Sequence, residues 1–255
     1  MYNGHKVGVV VLAYNVSEFI GDTIMRLPDF TDKIYVIDDG NVDKTPEIVK
    51  SLNHNRVKLI RHETNMGPGA ALNTGYKAAL EDEMDIIVKI DGDGQMPLDQ
   101  MENIIIPLIE GKADYTKGDR ISNRHNRQDM PRFRLVGNLL LTRLTRIASG
   151  YWHLSDSQNG FTAISSAALQ QMDLKLYPYY GYLNGILIQM NIHSARVVDI
   201  PMPAKYGKEK SSIRLRVYIP KLSFFLLRRF LWRLWAKYFR LGNGKHPKIV
   251  ARQTW

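Results

Sequence analysis

Four short runs of β-branched and aliphatic residues, each followed by a helix-like stretch, dominate what the first 113 residues can fold into. Val7–Leu12, Ile34–Ile37, Val57–Ile60 and Ile86–Ile90 read as buried strands. Helix patterns follow them at Ser17–Leu27, Thr45–Leu52, Gly69–Leu80 and Leu98–Glu110. Ser17 is the expected N-cap of the first and Pro28 its stop, while Pro46 opens the second at the first helical position. Strands alternating with helices predict an α/β fold, a mostly parallel central sheet flanked by helices. Ligands of such sheets sit beyond the C-terminal ends of the strands, and the polar clusters of this chain fall at those ends.

Past Ala113 the pattern loosens. Ala113–Gly118 reads as a fifth strand, Ile121–Arg134 as a polar, Arg-rich, mobile loop, and Leu135–Ser149 as a helix. Gly160–Ile164 and Ala195–Ile200 are further strand candidates, and a basic, aromatic tail runs from Gly207 to Arg240. At 255 residues the chain suits one large domain with an appendage. We place a catalytic unit at 1–212 and a tail at 213–255. With 44% hydrophobic residues it is too apolar for a disordered chain. It has no cysteine, which excludes disulfides, thiolate metal sites and a Cys nucleophile.

Two strand ends carry acid. Asp91-Gly92-Asp93 sets two carboxylates two residues apart just past a buried strand. They can aim oxygens at one hard cation, Mg²⁺ or Mn²⁺, which keeps substrate phosphates in its shell, and Gln95 can add a carbonyl oxygen. Asp38-Asp39-Gly40 ends the second strand in the same way. Each cluster alone also suits a solvated turn. In a parallel sheet the two face one crevice, where they repel unless a metal or ligand donors relieve them. Asn65–Gly75 is a glycine-bearing turn that enters a helix, whose first N–H groups can hold anionic or polar groups.

Charge divides the chain. Residues 1–113 hold 11 Lys/Arg against 18 Asp/Glu, and residues 114–255 hold 24 against 7. An acidic half suited to a cation therefore precedes a basic half suited to a phosphate, a nucleic acid or an anionic membrane surface.

Six motifs occur in order: Ala13-Tyr14-Asn15, Val36–Gly40, Asn65–Ala71, Asp91-Gly92-Asp93-Gly94-Gln95, Gly118-Asp119-Arg120 and Asp156–Phe161. This set resembles the family-2 glycosyltransferases of the GT-A fold, and among them the polyprenyl- and dolichyl-phosphate sugar synthases. The resemblance covers about residues 5–215. It implies that Ala13, Tyr14 and Asn15, with Asp38 or Asp39, hold the base and ribose of a nucleotide sugar, and that Gly67, Gly69 and Asn73 line the same pocket. It implies that Asp91, Asp93 and Gln95 form the metal site that grips the diphosphate. Arg120 matches the arginine facing the acceptor, and Asp156 and Gln158 match the acceptor motif. Gly207–Ser211, with Lys210, resembles a late loop that closes over the phosphates. The chain departs from the family pattern at Val16, Asn41 and Tyr182-Leu183-Asn184.

The charge bookkeeping of such a reaction singles out cations. A sugar hydroxyl acceptor needs a base, for which Asp156 is the candidate. A lipid phosphate is already an anion at neutral pH and needs positive charge to approach the donor. Arg120, Arg134, Lys210 and Arg214 can supply it, although Arg134 and Arg214 would also suit a solvated face. The resemblance carries inversion at the anomeric carbon.

Between Gly207 and Arg240 there are ten Lys/Arg and one acid, Glu209. As a helix, this tail puts Arg229, Arg233, Lys237 and Arg240 on one face. Leu227, Phe230, Leu231, Leu234, Trp235 and Tyr238 spread over the rest. Such a helix lies in a membrane interface; an ordinary packed helix is the alternative. No apolar run approaches the ~20 residues of a span, and Met1–Lys6 lacks a leader pattern. The expectation is a peripheral enzyme on the cytoplasmic membrane face, with a nucleotide-sugar donor and a polyprenyl or dolichyl phosphate acceptor. A glycan hydroxyl acceptor, a nucleic-acid-binding module and a silent nucleotide-sugar binder are the competing readings. No nucleic acid partner is expected, and an oligomer is compatible.

Overall fold

A computed structural model describes residues 1–128, 130–173, 181–204 and 215–237, with residues 215–220 described by their backbone alone. The elements run β1 (Val7–Ala13), α1 (Ile20–Met25), β2 (Lys33–Asp38), α2 (Thr45–Ser51), β3 (Val57–Arg61), α3 (Pro68–Glu81) and β4 (Ile86–Asp91). A 3-10 turn (Leu98–Gln100) leads into α4 (Met101–Ile109). Then come β5 (Tyr115–Asp119), α5 (Arg132–Ser149), β6 (Thr162–Ser165), α6 (Ser166–Gln170), α7 (Tyr182–Ile192), β7 (Val197–Pro201) and α8 (Leu215–Trp235).

The strands form one seven-stranded sheet in the order β3-β2-β1-β4-β6-β5-β7. All neighbours are parallel except β6, which runs antiparallel to both β4 and β5. Every residue of β1 is buried because the strand is central and covered on both faces. Its alternate residues feed two cores. Val10 and Leu12 point with Tyr35, Ile37 and Ile87 toward Leu72 and Tyr76 of α3 and Leu183, Ile186 and Leu187 of α7. Val9 and Val11 point with Ile34, Val36 and Val88 toward Ile20 and Ile24 of α1 and Met101, Ile104 and Ile105 of α4. Each fully buried aliphatic side chain contributes about 1.5–3 kcal/mol, so these layers hold the strand ends rigidly beneath the site.

Two local expectations shift. The first helix starts at Ile20 with Phe19 at the cap. Ser17 does not cap it, because its N–H donates to Asp43 Oδ2 at 3.0 Å, and Val16 N–H donates to Thr45 Oγ1 at 3.1 Å. Those bonds tie residues 16 and 17 to the start of α2. The first helix of the second half also begins earlier than the sequence pattern suggested. α5 starts at Arg132, directly after Pro131, and the preceding segment is pinned by Ile121 and Met130, which are buried with Ala204.

The tail is helical from Leu215 to Trp235. α8 packs Leu222, Phe225 and Leu226 against Leu141 and Ala148 of α5 and Ile188 of α7. Arg233 donates to Asn191 Oδ1 at 3.2 Å and to the Ile147 carbonyl at 3.3 Å, and Lys237 reaches Asn191 Oδ1 at 3.4 Å. Part of the expected basic face is therefore turned onto the protein, which leaves apolar residues outward. Lys210, Arg214, Tyr238 and Arg240 lie outside the described residues. Among the described residues no helix is long and apolar enough to cross a membrane.

Candidate active site

The register places the acidic clusters side by side. Ala13 pairs with Asp38 on β2, and Leu12 pairs with Asp91 on β4. The ends of β2, β1 and β4 thus bring Asp38 and Asp91 to the same end of the sheet, on either side of β1 and one residue out of step, neighbouring strands lying about 4.8 Å apart. Tyr14, at the rim, is 49% exposed.

Most of the second-strand acid is already engaged by the protein. Asp39 accepts from Met66 N–H (2.9 Å) and Gly67 N–H (2.8 Å), and its Oδ1 is 2.8 Å from His62 Nδ1. His62 Nε2 lies 2.9 Å from Thr74 Oγ1 on α3. Asp39 therefore fixes the loop that carries Gly67 and Gly69 into α3. Asp38 is fully buried, ion-paired to Arg61 Nε at 3.0 Å. Its Oδ1 accepts from Asn41 N (2.8 Å) and Nδ2 (2.6 Å). Asn41 also donates to the Ala13 carbonyl at 3.2 Å and accepts from Asn15 N–H, and Asn15 Oδ1 accepts from Val42 N–H at 3.2 Å. The Asn41 departure noted in the sequence thus welds the two loops together. Asn73 Oδ1, on α3, is buried without a hydrogen-bond partner among the described residues.

At the end of β4 the chain places a buried cation beside the acids. Lys89 is fully buried, and its Nζ donates to Asp91 Oδ1 at 2.7 Å and lies 5.8 Å from the Tyr182 ring centre. Asp93 Oδ1 accepts from Gln95 N–H at 3.0 Å. Burial, and then the charge of Asp91, push the Asp93 carboxyl above its ordinary value. These two carboxylates repel, and a bound cation would relieve the repulsion. Asp91, Asp93 and Gln95 offer hard oxygen donors, a set that fits Mg²⁺ or Mn²⁺ sharing its shell with phosphates and water. Among the described residues no group of three or more His, Cys, Asp or Glu is placed to cage a metal by itself.

The Asp156–Phe161 segment comes up against this cluster. A Cβ built on Gly160 would stand 2.7 Å from Lys89 Nζ and 3.0 Å from Asp91 Oδ2, so any other residue would push these two charged ends aside. Four residues earlier, Asp156 is fully buried. Arg120, just past β5, donates to it from Nε (2.7 Å to Oδ2) and Nη2 (3.2 Å to Oδ1). Gln158 N–H donates to Asp156 Oδ1 at 3.2 Å, and its Nε2 to Ser157 Oγ at 2.8 Å. Burial alone would raise the Asp156 carboxyl, but the Arg120 charge and hydrogen bonds, and then Lys117, hold it below its ordinary value. Lys117 is itself buried, donates to the Asp156 carbonyl, and lies 3.9 Å from Asp199. Burial raises Asp199 despite that lysine.

The structure thus brings Asp38, Asp91, Asp93, Arg120, Asp156 and Gln158 to the end of the sheet at which β1, β2, β4 and β5 finish, and Arg134 lies in the first turn of α5. The sequence reading missed Lys89, Lys117, Asp199 and His62. Lys89 had a visible signal, since a lysine inside an apolar strand must be paired once buried. Asp199 and His62 had none, because their partners are distant in sequence.

Residues 8–173, well over half of the chain, match the sequence profile of the family described as Glycosyl transferase family 2. The chain belongs to glycosyl transferase family 2. It is 36% identical over 214 residues to a UDP-N-acetylglucosamine–dolichyl-phosphate N-acetylglucosaminyltransferase of Methanococcus voltae, covering 78% of this chain and 85% of that one. It is 25% identical over 205 residues to an undecaprenyl-phosphate mannosyltransferase of Micrococcus luteus, covering 77% and 82%. In fold, this family 2 glycosyl transferase resembles glucosyl-3-phosphoglycerate synthase of Mycobacterium tuberculosis, solved with Mn²⁺, uridine diphosphate and phosphoglyceric acid. The TM-score is 0.66, with 19% identity over 90% of this chain and 78% of that one. The GT-A architecture expected from the sequence is therefore present, and the protein is a glycosyltransferase.

Proposed function

We propose that the enzyme transfers a sugar from a nucleotide-diphosphate sugar to a polyprenyl or dolichyl phosphate, with inversion and with help from Mg²⁺ or Mn²⁺. The observation that carries this is the meeting at Gly160. It sets the donor acids of β4 against a loop whose carboxylate is already neutralised by Arg120. Two relatives named for lipid-phosphate acceptors support the acceptor class.

In this reading Tyr14, Asn15, Asp38 and the α3 entry hold the nucleoside, and Asp91, Asp93 and Gln95 hold the cation with the diphosphate. The cation, when bound, supplies Lewis-acid stabilisation of the departing diphosphate. Lys89 keeps Asp91 in place from below. The acceptor phosphate oxygen forms the new bond to the anomeric carbon as the bond to the diphosphate breaks. Arg120 faces that oxygen while bound to Asp156, and Lys210 and Arg214 are proposed to add charge from the tail side. An acceptor that is already an anion needs no proton removed, which suits an Asp156 that is held ionised and saturated by donors.

The second reading, a glycan hydroxyl acceptor with Asp156 as base, asks that carboxylate to leave Arg120 and take a proton. The two readings separate on acceptors. Transfer to a short polyprenyl phosphate that falls in Arg120→Ala supports the first; transfer to soluble glycans alone overturns it. We place the enzyme at the cytoplasmic face, the side where nucleotide sugars are present. Residues 1–212 form the catalytic unit, and the 213–255 tail contacts the membrane surface.

A further inference from the structure

Helix α5 carries an apolar stripe that the function described so far does not use. Phe133, Val136, Leu140 and Ile147 recur at helical spacing on its outer side, and Phe224, Leu227, Leu231 and Trp235 do the same on α8. All eight are between 46% and 70% exposed. The two helices pack on one another, and Arg233 of α8 bonds the carbonyl of Ile147 within the α5 stripe. An apolar face this extended on adjacent helices marks an interaction surface.

Its charge selects the occupant. α5 carries Arg132, Arg134, Arg143 and Arg146, and α8 carries Arg216, Lys221, Arg228, Arg229 and Arg233; neither contains an acid. Arg143 and Arg132 are exposed beside the α5 stripe, and Lys221 and Arg228 beside the α8 stripe. Apolar side chains flanked by uncompensated cations suit an anionic bilayer, whose headgroups meet the arginines while the rings enter the acyl boundary.

The inner side of α5 is joined to the acceptor motif. Ser157 N–H donates to Thr142 Oγ1 at 3.1 Å, the Thr142 and Ser157 hydroxyls lie 3.2 Å apart, and Arg146 Nε donates to the Leu154 carbonyl at 2.6 Å. We propose that α5 and α8 together form one docking surface for an anionic membrane, with α5 holding the Asp156–Gln158 loop against it. This deepens the lipid-phosphate reading and rests on it for the purpose of the loop. The docking surface itself extends the contact from the tail alone to a helix inside the catalytic unit.

The test uses the full chain and vesicles of phosphatidylcholine with or without phosphatidylglycerol, containing no acceptor. Sedimentation with the anionic vesicles, weakened by salt, is expected. Val136→Ser with Leu140→Ser, and separately Leu227→Ser with Leu231→Ser, should each lower binding by about tenfold or more. All four positions are exposed, so circular dichroism should be unchanged. The α5 variant should keep its transfer to a water-soluble, short-chain prenyl phosphate in the absence of vesicles. An α5 variant that binds as tightly as the unmodified chain overturns the proposal, leaving α8 alone. So does absence of vesicle binding, including the case in which the stripes instead mediate self-association seen by sedimentation velocity. Vesicle binding without transfer to the soluble prenyl phosphate leaves the docking surface standing and removes the lipid-phosphate reading.

Discussion

Arg120 grips the buried carboxylate of Asp156 with two nitrogens of its guanidinium, at 2.7 and 3.2 Å. The pair joins the end of β5 to the loop before β6, and in the proposed reading it sets the charge on the acceptor side. A carboxylate so held is a structural anion that aims the arginine. Asp156→Asn should therefore release Arg120 and destabilise the fold by about 3–5 kcal/mol, the usual cost of breaking a buried pair. The pH dependence carries the sign. The folded carboxyl lies below its ordinary value, so its contribution to stability is complete above about pH 4 and is lost as pH falls through the folded value. Urea midpoints measured from neutral to strongly acidic pH should fall further in the unmodified enzyme than in Asp156→Asn, where the lowered carboxyls of Asp82 and Asp114 still titrate.

Asp93 should be indispensable for transfer. Asp93→Ala removes an oxygen donor of the proposed cation site, and the rate should fall by about two to three orders of magnitude. EDTA should do the same to the unmodified enzyme, with recovery on adding Mn²⁺. The Asp93 carboxyl is raised by burial and by Asp91, so protons should begin to compete with Mn²⁺ at higher pH than at an ordinary carboxylate pair. Titration of Mn²⁺ by electron paramagnetic resonance at several pH values reads this directly.

Gly160→Ala tests the meeting of donor and acceptor elements. Its methyl would stand 2.7 Å from Lys89 Nζ and 3.0 Å from Asp91 Oδ2. Both are side-chain ends that can shift, so melting should change little. Their displacement should nonetheless cost about 10- to 100-fold in kcat, since small misplacements in a site are expensive.

Gly75→Ala tests the fold beneath the donor pocket. The added methyl would lie 2.3 Å from Val10 Cγ1, forcing α3 away from β1. Overpacking of about 1–3 kcal/mol outweighs the gain of about 1 kcal/mol in helix propensity. A lower urea midpoint is expected, and pairing with Val10→Ala should cost less than the sum of the two.

The first half of this chain was legible because each strand is a β-branched run with a polar end. Parallel pairing then forces Asp38 and Asp91 to flank the end of β1, beside Ala13 and Leu12. The second half was less so. α7 is buried on every side, so Tyr182–Ile192 shows little amphipathic contrast. β6 enters between β4 and β5, a placement no local pattern encodes. Lys117 meets Asp199 only because β5 and β7 pair in parallel. The α5 stripe went unread because its arginines and its apolar residues alternate around the helix, and only packing shows which ones remain outside.

The most direct test of the account is sugar transfer from a panel of UDP- and GDP-sugars to a short polyprenyl phosphate, run with Mg²⁺ or Mn²⁺, with EDTA, and with Asp93→Ala. The account predicts metal-dependent product from one donor, lost in both controls. Absence of product from every donor, with folded protein that binds nucleotide and metal, would contradict it.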